Sequence, residues 1–312
     1  MNAITIAGLD KKVTQLIMGT DYYKPEIQEK VNGLLDLYIG IGGNTLDTAY
    51  GYGGGLSEIA IGNWMAERGN RNDIVILTKG AHHDANGPRV NKACIDHDLA
   101  ISLERLRTDY VDLYALHRDD PEMPVGVILE ALNEHIEAGR IRAIGGSNWT
   151  HERLQEANDY AAKHGLIGFS FSSPNLSLAK AKEPYWPGCV SVDEEACRWH
   201  EATQLPLLSW SSQARGFFTG RFTRDNLENA DLVRVFYNDA NWERFDRAER
   251  MARDKGLTTI QIALAYVLNQ PFPSAALIGP QNQEEMDSCK VGADVRLTKE
   301  ELAWLDLSAE LA

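Results

Sequence analysis

The sequence predicts a single-domain (β/α)8 TIM barrel, with an N-terminal β-hairpin before the first barrel strand and extra C-terminal helices. Short apolar runs alternate with helix-like runs along nearly the whole chain, which is typical of parallel strands joined by crossover helices. The strand-like runs number eight, which favours a closed barrel over an open sheet. The length of 312 residues suits one such barrel with insertions, so we expect 1–312 to form one domain.

The chain begins with a predicted hairpin, in which residues 4–7 turn back through Gly8 into a run that starts at Val13. Barrel strands are predicted at 16–20, 44–49, 73–79, 111–117, 141–147, 167–172, 205–211 and 274–279. The helices between them are predicted at 26–42, 57–68, 90–107, 125–138, 150–164 and 192–202. Further helices near 241–255 and 258–269 should pack outside the barrel, and the segment 298–311 should close the chain.

Several helix starts are marked by capping residues. Ser57 and Thr150 are typical N-cap residues, and Pro124 precedes the first turn of its helix. Thr298 and Glu301 have the spacing of a capping box. These positions predict where the helices begin.

Two connections are too long for tight barrel loops. The first covers 175–192 and contains Tyr185 and Trp186 together with prolines and a glycine. The second covers 216–240 and is polar. Long loops at the mouth of a barrel usually act as lids or specificity elements, and we expect the same here.

Composition limits the classes of partner. The chain has 45 acidic and 31 basic residues and a formal net charge of −14, so it should repel nucleic acid and anionic membranes. No signal peptide or apolar run of about 18 residues is apparent. The four cysteines are far apart and lack CxxC spacing, which predicts free thiols in a reducing, cytoplasmic protein. A homo-oligomer is compatible with these data.

Four ionisable or polar side chains follow three neighbouring strands. Asp47 ends one strand, Tyr52 lies in the glycine-rich turn after it, and the next two strands end in Lys79 and His117. A lysine ammonium would lower the pKa of a neighbouring phenol, and a carboxylate would keep that lysine charged. Such a set can protonate the oxygen of a carbonyl that is being reduced. The alternative for each residue alone is a structural role, with Asp47 and Lys79 forming a salt bridge.

At this point the chain resembles the aldo-keto reductase family. The motifs that carry the resemblance are Asp47-Thr-Ala-Tyr-Gly-Tyr-Gly-Gly-Gly-Leu-Ser-Glu58, Leu77-Thr-Lys79, Asp112-Leu-Tyr-Ala-Leu-His117 and Gly139-Arg-Ile-Arg-Ala-Ile-Gly-Gly-Ser-Asn148, in family order. The resemblance implies a (β/α)8 barrel that reduces carbonyls with NADH or NADPH. It also implies that Tyr52 is the general acid, that Lys79 and Asp47 tune it, and that His117 orients the carbonyl.

The resemblance implies a cofactor site as well. Ser147 and Asn148 match the pair that holds the nicotinamide carboxamide, whereas Ser173 and Leu176 stand where the family commonly has Gln and a stacking Tyr. Trp210 could offer an aromatic face or belong to the barrel core. The full predicted set is Gly19, Thr20, Asp21, Ser147, Asn148, Ser173, Trp210, Ser211, Gln213, Arg215, Gly216, Gly279, Gln281 and Glu285.

The adenosine end departs from the pattern of NADPH-dependent members, which commonly place an arginine against the 2′-phosphate. Here Gln281 is followed by Glu284 and Glu285, with no cation between Gly279 and Lys290. A carboxylate repels a phosphate but can accept a hydrogen bond from a ribose hydroxyl. We therefore expect either dual cofactor use or a preference for NADH. Alternatively, the two glutamates are only the acidic first turn of a helix.

The residues expected around the mouth favour a polar, sugar-derived carbonyl over a steroid. The alternatives are that the two tyrosines pack under a loop and that the arginine pairs with Asp119 or Asp120. The predicted substrate-binding residues are Tyr22, Tyr23, Tyr50, Arg118 and Trp149.

Two other functions compete with this prediction. A metal-dependent barrel hydrolase could use His82, His83, Asp84 and His117, although no His-x-His pair ends the first strand and Lys79 would place a cation beside the metal. A nucleotide-binding redox sensor would keep the barrel and have little turnover. Zinc-dependent activity would support the hydrolase. Cofactor binding without turnover would support the redox sensor.

Overall fold

The computed structural model describes residues 1–310 as a closed barrel of eight parallel strands, which confirms the predicted fold class. An antiparallel hairpin of β1 (Ala3–Ile4) and β2 (Val13–Thr14) precedes the barrel, as predicted. The barrel closes where the last strand pairs with the first, Leu277 opposite Ile17. The barrel strands are β3 (Leu16–Gly19), β4 (Thr45–Asp47), β5 (Val75–Gly80), β6 (Val111–Leu116), β7 (Ile141–Ser147), β8 (Phe171–Ser173), β9 (Leu207–Ser209) and β10 (Ser274–Ile278).

Helices cover the outside of the barrel. Those that follow the first six barrel strands are α1 (Gln28–Gly40), α2 (Leu56–Arg68), α3 (Lys92–Leu106), α4 (Val125–Glu137), α5 (His151–His164) and α6 (Glu194–Thr203). Three lie between β9 and β10 and two follow β10: α7 (Ala230–Phe236), α8 (Asp239–Lys255), α9 (Thr259–Leu268), α10 (Gln283–Asp294) and α11 (Lys299–Leu305). None of the helices within residues 1–310 combines the length and the apolar character that crossing a membrane requires.

The hairpin covers the N-terminal ends of the strands. Ile4, Ile6 and Val13 belong to the same buried apolar cluster as the inward-facing side chains of the barrel. Lys11, in the turn of the hairpin, donates to the Ile74 carbonyl at 2.6 Å and pairs with Asp112 at 2.7 Å. The hairpin therefore closes one end of the barrel. Asp47, Lys79 and the other predicted site residues lie at the opposite end, where the strands finish.

Three details differ from the sequence prediction. The loop 216–240 contains the helix α7, which the sequence analysis missed because its polar flanks hide a buried face of Leu232, Val235 and Phe236. Ser57 is not an N-cap: α2 begins one residue earlier, and the Ser57 hydroxyl instead bonds to Thr20 at 2.8 Å. The predicted closing helix ends at Leu305 rather than 311, and residue 311 lies outside the described residues.

Candidate active site

Lys79 is the centre of the predicted catalytic set. Its ammonium lies 2.6 Å from an Asp47 carboxylate oxygen and 3.0 Å from the Tyr52 hydroxyl, and it also donates to the Thr48 carbonyl at 2.9 Å. Lys79 and Asp47 are each only 2% exposed. The lysine is therefore held in place by three oxygen atoms. The structure brings the first three members of the predicted set into one hydrogen-bonded chain.

The glycine-rich turn positions Tyr52. Gly53, Gly54 and Gly55 follow one another with positive φ angles of 59°, 67° and 94°, a conformation that other residues rarely adopt. A Cβ on Gly55 would lie 2.2 Å from the Arg105 guanidinium, which packs directly against it. Arg105 in turn donates to the Tyr50 carbonyl at 2.8 Å, so the helix α3 fixes the turn that carries Tyr52.

The protonation states at this centre follow from burial and charge. Burial by itself lowers the pKa of Lys79, but Asp47 and Tyr52 outweigh burial and leave that pKa raised, so the lysine stays charged. Desolvation raises the pKa of Tyr52 to about 12 although Lys79 opposes it. The sequence predicted a lowered phenol pKa. The structure shows that the lysine has the predicted effect, but burial is larger.

His117 completes the predicted set. Its ring lies 5.6 Å from that of Tyr52 and 4.7 Å from that of His82, centre to centre. Burial lowers its pKa well below the usual range, and the positive charge of Lys79 adds to the effect. The Nδ1 atom is buried and has no partner among the described residues. A neutral imidazole can donate one hydrogen bond to a carbonyl oxygen without protonating it.

A cavity of about 1210 Å³ opens at this end of the barrel and contains all four residues. Most of the remaining predicted site residues also line it, from the ends of strands on every side of the barrel. These are Gly19, Thr20, Asp21, Tyr22, Tyr50, Arg118, Ser147, Asn148, Trp210, Ser211, Gln213, Arg215, Gly216, Gly279, Gln281 and Glu285.

Three predicted residues are not among those that line the cavity. Tyr23 is buried, and its ring packs edge-on against that of Tyr22. Trp149 is buried against Phe169 and donates to the Arg118 carbonyl at 3.2 Å. Ser173 is fully buried at the end of β8 and is not among the residues that line the cavity.

Ser147 and Asn148 are tied to the protein as well as lining the cavity. The Ser147 hydroxyl donates to the Ser173 carbonyl at 3.0 Å, and the Asn148 amide donates to the His117 carbonyl at 3.3 Å. The Asn148 oxygen accepts from the backbone N–H of Val190 at 3.2 Å. These bonds fix the orientation of both side chains at the end of β7.

The loop after β9 has an unusual backbone. Ser211, Ala214 and Arg215 have φ angles of 48°, 47° and 52°, and Gly216 follows at 85°. Three non-glycine residues in the left-handed region within five positions are costly, and such strain is concentrated at functional sites. Turns of this kind direct backbone N–H groups into a concave surface that suits an anion.

Aromatic and cationic side chains join this loop to the loop 175–192. The Arg215 guanidinium lies 4.7 Å from the Tyr185 ring and 5.0 Å from the Trp186 ring. Trp186 lies 6.1 Å from Trp210, whose buried Nε1 has no hydrogen-bond partner among residues 1–310. Trp210 thus belongs to the cavity wall rather than to the barrel core.

Of the two glutamates in this segment, Glu285 lines the cavity and has a structural role at the start of α10. Glu285 accepts from the Gln281 N–H at 2.8 Å, and its own N–H donates to Asn282 at 2.9 Å, so it helps to cap α10. Lys30, on α1, donates to the Gln281 side chain at 3.3 Å. The sequence analysis found no cation in this segment. The fold supplies one from a helix about 250 residues earlier.

Other cavity residues could not be assigned from the sequence. Cys189 and Arg221 line the cavity from the two long loops, whose lid-like length was the only available signal. His82 and His83 also line it and were noticed only as metal ligands. No group of three or more His, Cys, Asp or Glu side chains in the described part of the chain is placed to hold a metal ion.

Comparison with known proteins gives a consistent result. The model of the aldo/keto reductase family matches residues 15–310. Norsolorinic acid reductase B of Aspergillus parasiticus is 28% identical over 294 residues, covering 91% of this chain and 75% of that protein. The uncharacterized oxidoreductase YrpG of Bacillus subtilis is 26% identical, covering 95% and 92%. The aldo-keto reductase YhdN of the same organism is 28% identical, covering 78% and 72%.

Proposed function

As this chain belongs to the aldo/keto reductase family, we propose that it is an NAD(P)H-dependent oxidoreductase that reduces an aldehyde or ketone to the alcohol. The observation that carries the proposal is the chain from Asp47 through Lys79 to Tyr52, at the end of the barrel where the cavity opens. A charged lysine bound to a phenol is an arrangement for moving a proton at the phenolic oxygen.

The direction of the hydrogen bond between Lys79 and Tyr52 determines whether Tyr52 can donate its proton. Because its oxygen accepts a hydrogen bond from Lys79, its own proton is free to be donated to a substrate oxygen. Once the proton has left, the ammonium stabilises the phenolate at 3.0 Å. His117, being neutral, donates a hydrogen bond to the same substrate oxygen and holds the carbonyl in place.

The cavity residues fit a nicotinamide dinucleotide. The Trp210 side chain and the oriented Ser147 and Asn148 side chains suit the nicotinamide end, and the strained loop with Arg215 suits a pyrophosphate. When bound, such a cofactor supplies the hydride that reduces the carbonyl carbon. The protein residues bind and orient it, and Tyr52 supplies the proton.

For the choice of cofactor we propose dual use, with NADH accepted at least as well as NADPH. The Glu285 carboxylate disfavours a 2′-phosphate and suits a ribose hydroxyl, whereas Lys30 at Gln281 reduces the penalty for the phosphate. Titration of tryptophan fluorescence with each cofactor at matched ionic strength tests this proposal. A Kd for NADPH ten or more times lower than that for NADH would overturn it. Lys30→Gln should weaken NADPH binding and leave NADH binding unchanged.

The same titration, followed by turnover of a neutral aldehyde such as benzaldehyde, tests the proposed function. We expect saturable cofactor binding and oxidation of the cofactor that depends on the aldehyde. Binding without turnover across a broad panel of carbonyls would favour a redox sensor. Absence of binding by either cofactor would refute the reductase proposal.

The sugar-derived substrate stays a prediction with a weaker basis. Of the five residues on which it rested, Tyr23 and Trp149 lie outside the cavity. Of the remaining three, Tyr22 donates to the Pro280 carbonyl at 3.0 Å and helps to join the first and last barrel loops. The other two, Tyr50 and Arg118, also line the cavity.

A further inference from the structure

Arg118 is a buried cation beside the catalytic centre. It is 7% exposed, follows β6 directly after His117, and lines the cavity. Its guanidinium donates to the His117 carbonyl at 2.8 Å and lies 3.4 Å from the Cys189 sulfur. The Nε atom is buried without a partner among the described residues. None of these contacts supplies a negative charge.

The nearby acidic groups are occupied elsewhere. Asp119, which the sequence offered as a partner for Arg118, pairs with Arg153 at 3.2 Å. Asp98 is held by Arg89 at 2.7 Å. No carboxylate within residues 1–310 lies within salt-bridge distance of Arg118.

The remaining neighbours are uncharged. Burial raises the pKa of the Cys189 thiol, so Cys189 does not act as a thiolate counter-ion. Burial lowers the pKa values of His82 and His117, and the charge of Arg118 contributes to both shifts. An arginine cannot release its proton to avoid the cost of burial. The charge of Arg118 is therefore buried without a compensating group, which is costly unless a ligand supplies one.

We propose that Arg118 binds the carboxylate of the substrate, so that the carbonyl compound this protein reduces is an oxo acid. The proposal rests on the reductase function proposed above and deepens it by naming the substrate class. A guanidinium presents paired N–H donors that match the two oxygens of a carboxylate. The position of Arg118 next to His117 places the anion close to the carbonyl that Tyr52 and His117 hold.

A carboxylate fits better than a phosphate. A phosphate monoester carries nearly two negative charges and is usually held by more than one cation. Arg89, another arginine that lines the cavity, is already paired with Asp98 and lies 3.7 Å from Asp84. One uncompensated cation matches one carboxylate. Moreover, the net charge of −14 repels anions, so any preference for an acid has to come from local contacts.

The test compares acids with their methyl esters. We would measure kcat and KM for straight-chain ω-oxo acids of four, five and six carbons, each beside its methyl ester, with the cofactor saturating. We expect kcat/KM of at least one acid to exceed that of its ester by about 10- to 100-fold, mainly through KM. Arg118→Met should abolish the advantage, and Arg118→Lys should retain part of it.

Two controls separate recognition by Arg118 from a general effect of cavity charge and from an indirect effect on His117. Arg221→Gln removes a positive charge from another wall of the same cavity, and it should leave the acid-to-ester ratio unchanged if the recognition is local. The ester serves as the internal reference for any effect of Arg118 substitutions on His117. Far-ultraviolet circular dichroism and cofactor titration establish that each variant is folded.

Several outcomes would overturn the inference. Esters turned over as well as or better than the acids at every chain length would refute it and leave the reductase proposal intact. An acid-to-ester ratio that survives in Arg118→Met would assign the selectivity to another group. Lack of turnover of both acids and esters by protein that reduces benzaldehyde would refute this inference alone, and lack of turnover of benzaldehyde as well would count against the reductase proposal.

Discussion

Two buried cations at the same end of the barrel differ in one respect. Lys79, at the end of β5, lies 2.6 Å from Asp47, whereas Arg118, just beyond β6, has no carboxylate partner among the described residues. The paired cation belongs to a complete chain of groups that ends at the Tyr52 hydroxyl. The unpaired one contacts a carbonyl and a sulfur. A charge that the fold neutralises can act within the protein, and a charge that it leaves unneutralised is available to bind an anion.

The largest effect on kcat should come from substitution of Tyr52, at the end of the hydrogen-bonded chain from Asp47 through Lys79. Tyr52→Phe removes the proton donor and keeps the ring, so kcat should fall by about 100- to 10,000-fold. Cofactor affinity should stay within about twofold, because the ring still fills its place beside His117. Steady-state kinetics and fluorescence titration check the two parts. An equal loss of cofactor binding would show that Tyr52 has a structural role.

Substitution of Asp47 would turn Lys79 from a paired cation into an unpaired one. Asp47→Asn leaves Lys79 buried next to a neutral amide, and removing one partner of a buried pair costs about 3–5 kcal/mol. We expect that loss in the free energy of unfolding measured by urea denaturation. We also expect a large fall in kcat, because the lysine loses the group that keeps it charged. A variant as stable as the original protein would contradict the assignment of Asp47 as the required counter-ion.

The third prediction applies the same measurement to the unpaired cation. Arg118→Met keeps much of the side-chain volume and removes a charge that has no counter-ion, so the free energy of unfolding should change by less than about 1 kcal/mol or increase. Urea denaturation checks it beside Asp47→Asn. A loss as large as that of Asp47→Asn would mean that the fold needs this charge, and the contrast between the two cations would disappear.

The smallest effect is the expected pH dependence. The pKa of Tyr52 is raised to about 12, so the proton donor stays protonated as pH rises and is lost only near that value. The pKa of His117 is lowered, so it stays neutral as pH falls through the usual histidine range near about 6.5. The kcat for a neutral aldehyde should therefore vary less than about twofold between about pH 6 and about pH 10. A sharp loss near neutral pH would show that His117 titrates there.

The sequence was most informative for reactive side chains that lie at the end of a strand or in a turn with a clear sequence pattern. Asp47, Lys79 and His117 were predicted because each ends or follows a strand, and strand ends meet at one end of a parallel barrel. Tyr52 was predicted because three glycines follow it, and their positive φ angles are what the turn requires. In these cases a local pattern determines both the side chain and its place.

The sequence was least informative where partners come from distant segments. As an alternative it offered Asp119 or Asp120 as the partner of Arg118, but Arg153 on α5 binds the Asp119 carboxylate. It found no cation near Gln281, and Lys30 on α1 supplies one. It placed Tyr23, Trp149 and Ser173 at the site, and in the fold these three are buried and do not line the cavity. Each of these outcomes depends on how separate elements pack against one another.

The sequence by itself determined the order of the barrel strands and of the helices other than α7, the family motifs and the side chains able to handle a proton, because periodicity and turn chemistry are local properties. Only the tertiary structure decided which charges are neutralised and which are not. Pairing depends on distances between atoms far apart in the chain and on how much water is removed from around them. The difference between Lys79 and Arg118 is therefore a property of the folded barrel, although both residues are visible in the sequence.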